Sequence, residues 1–425
     1  MIAWLLISFF VLLFLGVPIA MSLGLSAMGG ILFLGGGSTV TIAQRMFEGM
    51  NSFALLAIPL YTFAGFTMSK GGISKRLMDF CYSIVGHIYG GLAHVNVLSS
   101  MIFAGISGSA VADTAGVSGM FMPEMVRKGY SKNFTVAVTA ISSTIGIIIP
   151  PSIPMVVIAG ICGISTGKLF LGGIIPGVLC GLAQMIVSYF MAKKEGVPKE
   201  PGHFTIGPVL HGLWESWPAL LMPIIIVGTI TMGIVSPTEA GVIAVVYGLF
   251  AGGIIYRELK WEDIKFAFAE TVRTSGRIFI VIGAAKLYTV MLTTAGFDKW
   301  VAKTMLGFST NPTVILVMIL LIFFIVTMFM ESIATLTLFM PILYPIALGV
   351  GIDPIVLSVL ITVVIGVGLV TPPVGMCIYV ACDLMDVTVG EVFPTLVPFI
   401  AATFVCIVLM VAFPQLILLP TYLMA

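Results

Sequence analysis

Long apolar runs fill most of the chain, and two of them are interrupted at corresponding places. These runs are ISSTIGIIIPPSIPMVVIAGICG at 141–163 and TVVIGVGLVTPPVGMCIYVACD at 362–383. A double proline divides each run, Pro150-Pro151 in the first and Pro372-Pro373 in the second. Tandem prolines lack amide hydrogens and clash with the preceding turn, so one half-helix ends there and another begins. Backbone groups freed inside a bilayer need a cavity, water or an ion, so the pattern indicates an ion-coupled transport site.

An apolar run with a small and polar centre precedes each broken helix. The first centre is AGISGSAVADTAG, and the second contains FMESIAT. The apolar flanks of each centre are shorter than the about 20 residues that a full membrane crossing needs. The pattern therefore predicts two helical hairpins, at 91–127 and 312–348, each of which enters and leaves the membrane on the same side.

The order of elements repeats in the two halves of the chain, 1–193 and 214–425, which a hydrophilic cytoplasmic linker at 194–213 joins. This duplication predicts an all-α polytopic membrane protein built from two inverted-topology repeats. In the first repeat we predict scaffold spans at 2–70, an arm at 73–89, the hairpin at 91–127, the broken helix at 132–162 and a span at 169–192. In the second we predict scaffold spans at 216–294, with the amphipathic stretch RELKWEDIKFAF before the last of them, an arm at 297–310, the hairpin at 312–348, the broken helix at 354–383 and a span at 392–419.

Composition agrees with a membrane location. Hydrophobic residues make up 59% of the chain and charged residues 9%, whereas soluble domains carry about 25% charged residues. The alternating pattern of an outer-membrane barrel is absent. Of the 19 Lys and Arg residues, 14 fall on one side of the predicted topology, 4 on the other, and Lys286 lies within a span. The richer side is cytoplasmic by the positive-inside rule, so both termini are expected to be periplasmic.

Several function classes receive no support from the sequence. The six cysteines have no metal-binding or CxxC spacing, and we interpret them as small core residues. No nucleotide-binding or hydrolase motif occurs in a suitable context, so neither enzymatic catalysis nor ATP-driven transport is indicated. The net charge of +1 gives no indication of a nucleic-acid partner.

Hydroxyl groups and backbone carbonyls at the hairpin tips have the chemistry of a hard-cation site. Ser107 to Ser109 would face 146–150 in the first site, while Ser332 and Thr335 would face 368–371 in the second. Neutral oxygen ligands suit a monovalent ion such as sodium. The alternative is that these small residues only permit close helix packing. Asp113 and Glu331 are functional carboxylates, hydrogen-bonded structural groups or hairpin-tip residues that face water.

The helix that starts after each double proline directs amide hydrogens and a positive dipole end toward the membrane centre. Such a helix start suits a carboxylate, so we expect an anionic organic solute. A stand-alone sodium/organic-anion symporter satisfies the same pattern. A channel or an intramembrane enzyme would need a charged pore or a catalytic constellation, and the sequence shows neither.

These motifs resemble the large membrane subunit of the tripartite ATP-independent periplasmic (TRAP) transporters. The likeness covers essentially the whole chain, through GISGSAVADTAG, MPEMVRKGYSKNFTVAVTAISSTIGIIIPPSIPMVVIAG and GLVTPPVG. It implies an elevator mechanism in the bacterial inner membrane, driven by sodium and without an organic cofactor. It also implies a soluble periplasmic binding protein that delivers a sialic acid or C4-dicarboxylate type of solute. A small four-helix membrane subunit is expected to be a separate chain.

Carried over position by position, the resemblance implies two groups of site residues. The sodium ligands would be Ser107, Ser109, Gly146, Ile149, Glu331, Ser332, Gly368 and Thr371. The candidates for substrate binding are Asp113, Thr114, Pro150, Pro151, Ser152, Thr335, Pro372 and Pro373.

Overall fold

The computed structural model describes residues 1–35, 38–197 and 205–424. Every regular element in these ranges is a helix, and no strand occurs among them, which confirms the all-α prediction. Of the predicted linker, 198–204 lies outside the described residues, as does the C-terminal Ala425.

The first half of the chain forms ten α-helices. A 3₁₀ turn, Phe53–Leu56, precedes α4, and a second one, Thr144–Ile147, extends α8 toward the first double proline. The helices are α1 (Ile2–Phe14), α2 (Ile19–Leu34), α3 (Val40–Met50), α4 (Ala57–Lys70), α5 (Ile73–Val85), α6 (Gly91–Ser107), α7 (Ala110–Arg127), α8 (Lys132–Ser143), α9 (Ile153–Cys162) and α10 (Thr166–Glu195).

The second half also forms ten α-helices. A π-helical turn, Ala251–Ile255, continues α12, and a 3₁₀ segment, Leu419–Met424, follows α20. The helices are α11 (Ile206–Thr231), α12 (Pro237–Phe250), α13 (Trp261–Thr294), α14 (Phe297–Phe308), α15 (Pro312–Thr327), α16 (Ser332–Gly349), α17 (Pro354–Gly368), α18 (Met376–Met385), α19 (Val389–Ala412) and α20 (Gln415–Leu418).

Two elements differ from the sequence prediction. The stretch at 257–268, predicted as a separate amphipathic segment, runs into α13, which is continuous from Trp261 to Thr294. Acidic residues in its first turn favour the helix start, and the Asp263 carboxylate accepts a hydrogen bond from the Lys260 amide at 3.0 Å. The last span, predicted to reach 419, ends at Ala412 because Pro414 cannot continue the helix.

The long apolar helices classify the chain as a multi-pass membrane protein. Seven helical segments in the described part are long and apolar enough to cross a bilayer, including α10, α13 and α19. Further apolar helices are shorter, among them the first hairpin helices α6 and α15 and the half-helices α9 and α18. The short helices are therefore the ones that need protein neighbours inside the membrane.

Packing joins the two halves of the chain. The half-helix after each break lies against the hairpin of the other half, with α9 on α16 and α18 on α7. Helix α4 packs on α12 and α13, and α12 packs on α11; we refer to these four helices as the support. The support approaches the first hairpin closely, because a Cβ on Gly65 of α4 would lie 3.3 Å from the Ser107 Cα.

Candidate functional site

The tip of the first hairpin is a tight turn between α6 and α7. Helix α6 ends at Ser107, and Gly108 follows with a φ of 64°, a left-handed conformation that favours glycine. Ser109 then caps α7, since its hydroxyl accepts a hydrogen bond from the Ala112 amide at 3.4 Å. The turn thus brings two serine hydroxyls to one end of the hairpin.

Asp113 lies in the first turn of α7, completely buried at 0% exposure. Its Oδ1 accepts a hydrogen bond from the Ser107 hydroxyl, whereas its Oδ2 has no hydrogen-bond partner. The Oδ2 points at the backbone of Gly146, where an added Cβ would lie only 2.0 Å away. No Lys, Arg or His forms an ion pair with Asp113 within the described ranges. A buried carboxylate without a positive partner is strongly unfavourable unless it is protonated or binds a cation.

The first break docks directly onto this tip. The Ile153 amide, at the start of α9, donates a hydrogen bond to the Gly108 carbonyl at 3.1 Å. Ser152 caps α9 by accepting from the Met155 amide at 3.3 Å, and its hydroxyl donates to the Ile147 carbonyl at 2.5 Å. Pro154 has no amide hydrogen. The first three amide positions of α9 are therefore already used or absent, and the break itself is buried.

The second hairpin has a different tip. Glu331 is the N-cap of α16, and its Oε2 accepts hydrogen bonds from the Ile333 and Ala334 amides at 2.9 and 3.3 Å. Its Oε1 accepts from the Ser332 hydroxyl at 2.7 Å, and the Thr335 hydroxyl donates to the Glu331 carbonyl at 3.1 Å. Glu331 is thus a carboxylate held by a helix start, which is an electrostatically favourable position.

The second break repeats the docking of the first but is more open. The Val374 amide donates to the Met328 carbonyl of the hairpin at 3.0 Å, the counterpart of the bond from Ile153. Gly368 lies so close to the hairpin that a Cβ there would be 2.7 Å from the Thr327 Cβ. Pro150 and Pro151 of the first break are buried, whereas Pro373 is exposed and Pro372 is partly exposed. Both double prolines contain a cis peptide bond.

The predicted site residues lie at the two hairpin tips and in the two breaks. At the first tip, Asp113 accepts a hydrogen bond from Ser107 and lies against Gly146, while the Ile149 side chain faces Gly177 of α10. In the second break, the Thr371 hydroxyl follows Gly368 and donates to the Val367 carbonyl at 2.7 Å.

Sequence reasoning missed some neighbours of the two groups. The Cys377 thiol of α18 lies beside the Thr114 hydroxyl, and Thr144 lies against Gly366 of the other half. These residues stand in apolar runs without a distinguishing motif, so only the crossed packing of the two halves reveals them. No cluster of three His, Cys, Asp or Glu residues occurs among the residues that the structure describes.

Comparison with known families decides the class of this chain. Residues 6–416 match the family model of the tripartite ATP-independent periplasmic transporter, DctM component. The chain belongs to the DctM family. It is therefore a membrane transport subunit, the large permease component of a TRAP transporter, and not an enzyme.

Two relatives illustrate the range of solutes within this family. The sialic acid TRAP transporter large permease protein SiaM of Vibrio cholerae is 35% identical over 408 residues, which cover 96% of this chain and 95% of the relative. The isethionate TRAP transporter permease protein DctMQ of Oleidesulfovibrio alaskensis is 37% identical over 393 residues and 92% of this chain. The match spans only 62% of the length of that second relative.

A solved structure shares the fold of this DctM family member. The YdaH transporter of Alcanivorax borkumensis, described as having an unusual topology, superposes with a TM-score of 0.59. The superposition covers 87% of this chain and 86% of the other at 13% sequence identity. The likeness places the helices of this chain in a known membrane-transporter architecture.

Proposed function

We propose that this chain drives uptake of a carboxylate-bearing organic solute with a sodium gradient, after a soluble periplasmic binding protein delivers the solute. The observation that carries the proposal is the buried Asp113, whose Oδ2 faces Gly146 without any positive partner. A sodium ion at this position would neutralise the carboxylate charge and give the Asp113 Oδ2 a partner.

The first sodium site in this proposal comprises Ser107, Ser109, Gly146 and Ile149, and Asp113 joins them as a ligand or as a nearby charge. This differs from our sequence-based assignment of Asp113 to the solute. The reason is that the side chain is buried at the first tip, where its Oδ1 accepts a hydrogen bond from the Ser107 hydroxyl and its Oδ2 faces Gly146. The second sodium site would comprise Glu331, Ser332, Gly368 and Thr371.

The solute carboxylate would bind at the start of α18. The start of α9 is already capped by Ser152 and by the Gly108 carbonyl, so it has no amide to offer among its first three residues. The second break is exposed at Pro373 and leads into a helix start with a positive dipole end. Pro372 and Thr335 would lie beside the carboxylate. Both a sialic acid and a C4-dicarboxylate carry the required group.

An elevator movement would carry the hairpins and broken helices past the support formed by α4, α11, α12 and α13. Small or rigid residues meet at this contact: Gly65 faces Ser107, and a Cβ on Gly105 would lie 2.5 Å from the Pro223 ring. Contacts of this kind hold few interlocking side chains, which favours sliding. A small four-helix membrane subunit would enlarge the support, and the assembly would lie in the bacterial inner membrane with both termini periplasmic.

Uptake of a labelled solute into proteoliposomes tests this function. The vesicles would hold the chain and its small subunit, with an inward sodium gradient, and the binding protein would be added or omitted. Uptake that requires both sodium and the binding protein supports the proposal. Uptake that requires sodium but not the binding protein would instead make this chain a stand-alone symporter. Uptake without a sodium gradient would refute the proposal that sodium drives transport.

A further inference from the structure

An apolar cleft lies between the support and the second hairpin. Phe9 and Phe10 of α1, Tyr288 of α13, Phe297 of α14 and Phe339 of α16 line it together with aliphatic side chains. The space between these side chains measures about 310 Å³ when the volume open to the surroundings is included, so the cleft is a shallow groove and not a closed cavity. Its walls therefore come from four helices that are distant in the sequence.

No free hydrogen-bonding side chain faces this cleft. The one polar atom of the lining side chains, the Tyr288 hydroxyl, already donates to the Leu5 carbonyl at 2.9 Å. The Tyr288 ring packs on Phe9 with 5.6 Å between the ring centroids. Water needs two to four polar partners in a buried site, so this cleft suits neither water nor an ion nor a polar solute.

The mouth of the cleft is continuous with an exposed apolar surface, as expected of a face that contacts the hydrocarbon of a membrane. Phe10 is 48% exposed, and the exposed side chains Ile7 and Phe14 continue the same apolar surface along α1. On α14, Trp300 stacks on Phe297 with the ring centroids 5.6 Å apart and is itself 60% exposed. Exposed tryptophan, together with the neighbouring exposed lysines of α14, is typical of the headgroup level, so the cleft lies just beneath that level.

We propose that one acyl chain of a membrane lipid occupies this cleft. A bilayer supplies hydrocarbon chains at this depth, and each buried methylene adds to the stability of a bound chain. An unfilled gap would deprive the lining side chains of dispersion contacts, whereas a flexible chain fills an irregular groove. The lipid would thereby connect the support to the second hairpin, where α16 forms one wall. This site is independent of the sodium and solute sites.

A photoreactive lipid tests the site directly. A phosphatidylglycerol with a diazirine near the end of one acyl chain would be incorporated into nanodiscs that hold the protein, irradiated, and its adducts mapped by mass spectrometry. We expect adducts within 6–10 of α1 and within 338–342 of α16. Adducts found only on open apolar surfaces, such as Val405 and Val408 of α19, would overturn the proposal.

A matched pair of variants separates occupancy from general lipid contact. Leu338→Phe places extra ring atoms in the cleft and excludes about two methylenes of the chain, which lowers cleft adducts by about tenfold. Val408→Phe makes the same kind of enlargement at a side chain that is 65% exposed on α19, and cleft adducts remain unchanged. The experiment is repeated with the small membrane subunit present. Loss of the adducts in that complex would assign the cleft to the subunit and refute the lipid site.

Discussion

Gly146→Ala is the sharpest test of the first ion site, because the Asp113 carboxylate occupies the space that a side chain would need. A Cβ at this position would lie 2.0 Å from the Asp113 Oδ2 and 2.9 Å from its Cγ. Ordinary van der Waals contact begins near 3.4 Å, so the carboxylate oxygen must move by about 1.4 Å, the difference between 3.4 and 2.0 Å. The side chains of a binding site must stay within about 0.5 Å of their working positions, so this displacement should disrupt the site.

The displacement has two expected energetic consequences. Overpacking in a tight interior destabilises the fold by about 1–3 kcal/mol. Movement of the carboxylate also removes a charged oxygen from the proposed sodium position. We expect the free energy of sodium binding to weaken by about 1.4–2.8 kcal/mol, which corresponds to about 10- to 100-fold weaker sodium binding. The variant should therefore need a higher sodium concentration for half-maximal uptake, with the solute affinity at saturating sodium affected much less.

The assay is sodium-dependent uptake in proteoliposomes, combined with the thermal unfolding temperature measured with and without sodium. Gly119→Ala is the matched control, because Gly119 lies on α7 with no atom within 4 Å of an added Cβ. This control should transport normally and gain up to about 1 kcal/mol of stability from its helix position. If Gly146→Ala kept both the sodium requirement and the sodium-induced thermal shift of the unchanged protein, Asp113 and Gly146 would not form an ion site.

Four further changes test the rest of the arrangement. Ser109→Trp and Ser332→Trp should each abolish sodium-dependent uptake while folded protein remains in the membrane, as shown by its gel-filtration profile; retained sodium dependence would remove that serine from its site. Gly65→Leu should lower uptake by about tenfold or more, because a side chain there presses on the backbone of the first hairpin tip. Gly228→Leu, which meets no atom within 4 Å of its Cβ, should keep normal uptake, and equal loss in both variants would contradict the sliding contact. A reporter that is active only in the cytoplasm, fused after Ala425, should stay silent, and an active fusion would reverse the predicted orientation.

The backbone breaks were visible in the sequence because their causes are local. Tandem prolines end a helix wherever they occur, and the polar centre at Ser107 and Ser109 coincides with the turn between α6 and α7. The amphipathic run at 257–268 is also a local signal. The continuity of the helix from Trp261 into the apolar part of α13 is not, because the run carries no mark of where a helix ends.

The repeated order of hairpin and break predicted which segments face each other, but the individual side-chain contacts were not predictable, because they join distant residues. Asp113 and Gly146 meet only through the packing of α7 against the end of α8, and no spacing rule connects them. Glu331 looked equivalent to Asp113 as a carboxylate near a hairpin tip. The structure separates the two, since Glu331 caps a helix with two backbone amides whereas Asp113 has an oxygen without a partner.

This difference indicates how two similar breaks can support two tasks. Both breaks dock on their hairpins through one backbone hydrogen bond, from Ile153 to Gly108 and from Val374 to Met328. In the first repeat, capping by Ser152 then closes the helix start and burial surrounds the break, which suits a small ion that has lost its water. In the second repeat the prolines remain accessible, and an accessible helix start suits a larger anion that must enter and leave. Both breaks therefore dock in the same way, while burial and capping leave the first break to a sodium ion alone and open the second to the solute beside its own sodium ion in the mechanism we propose.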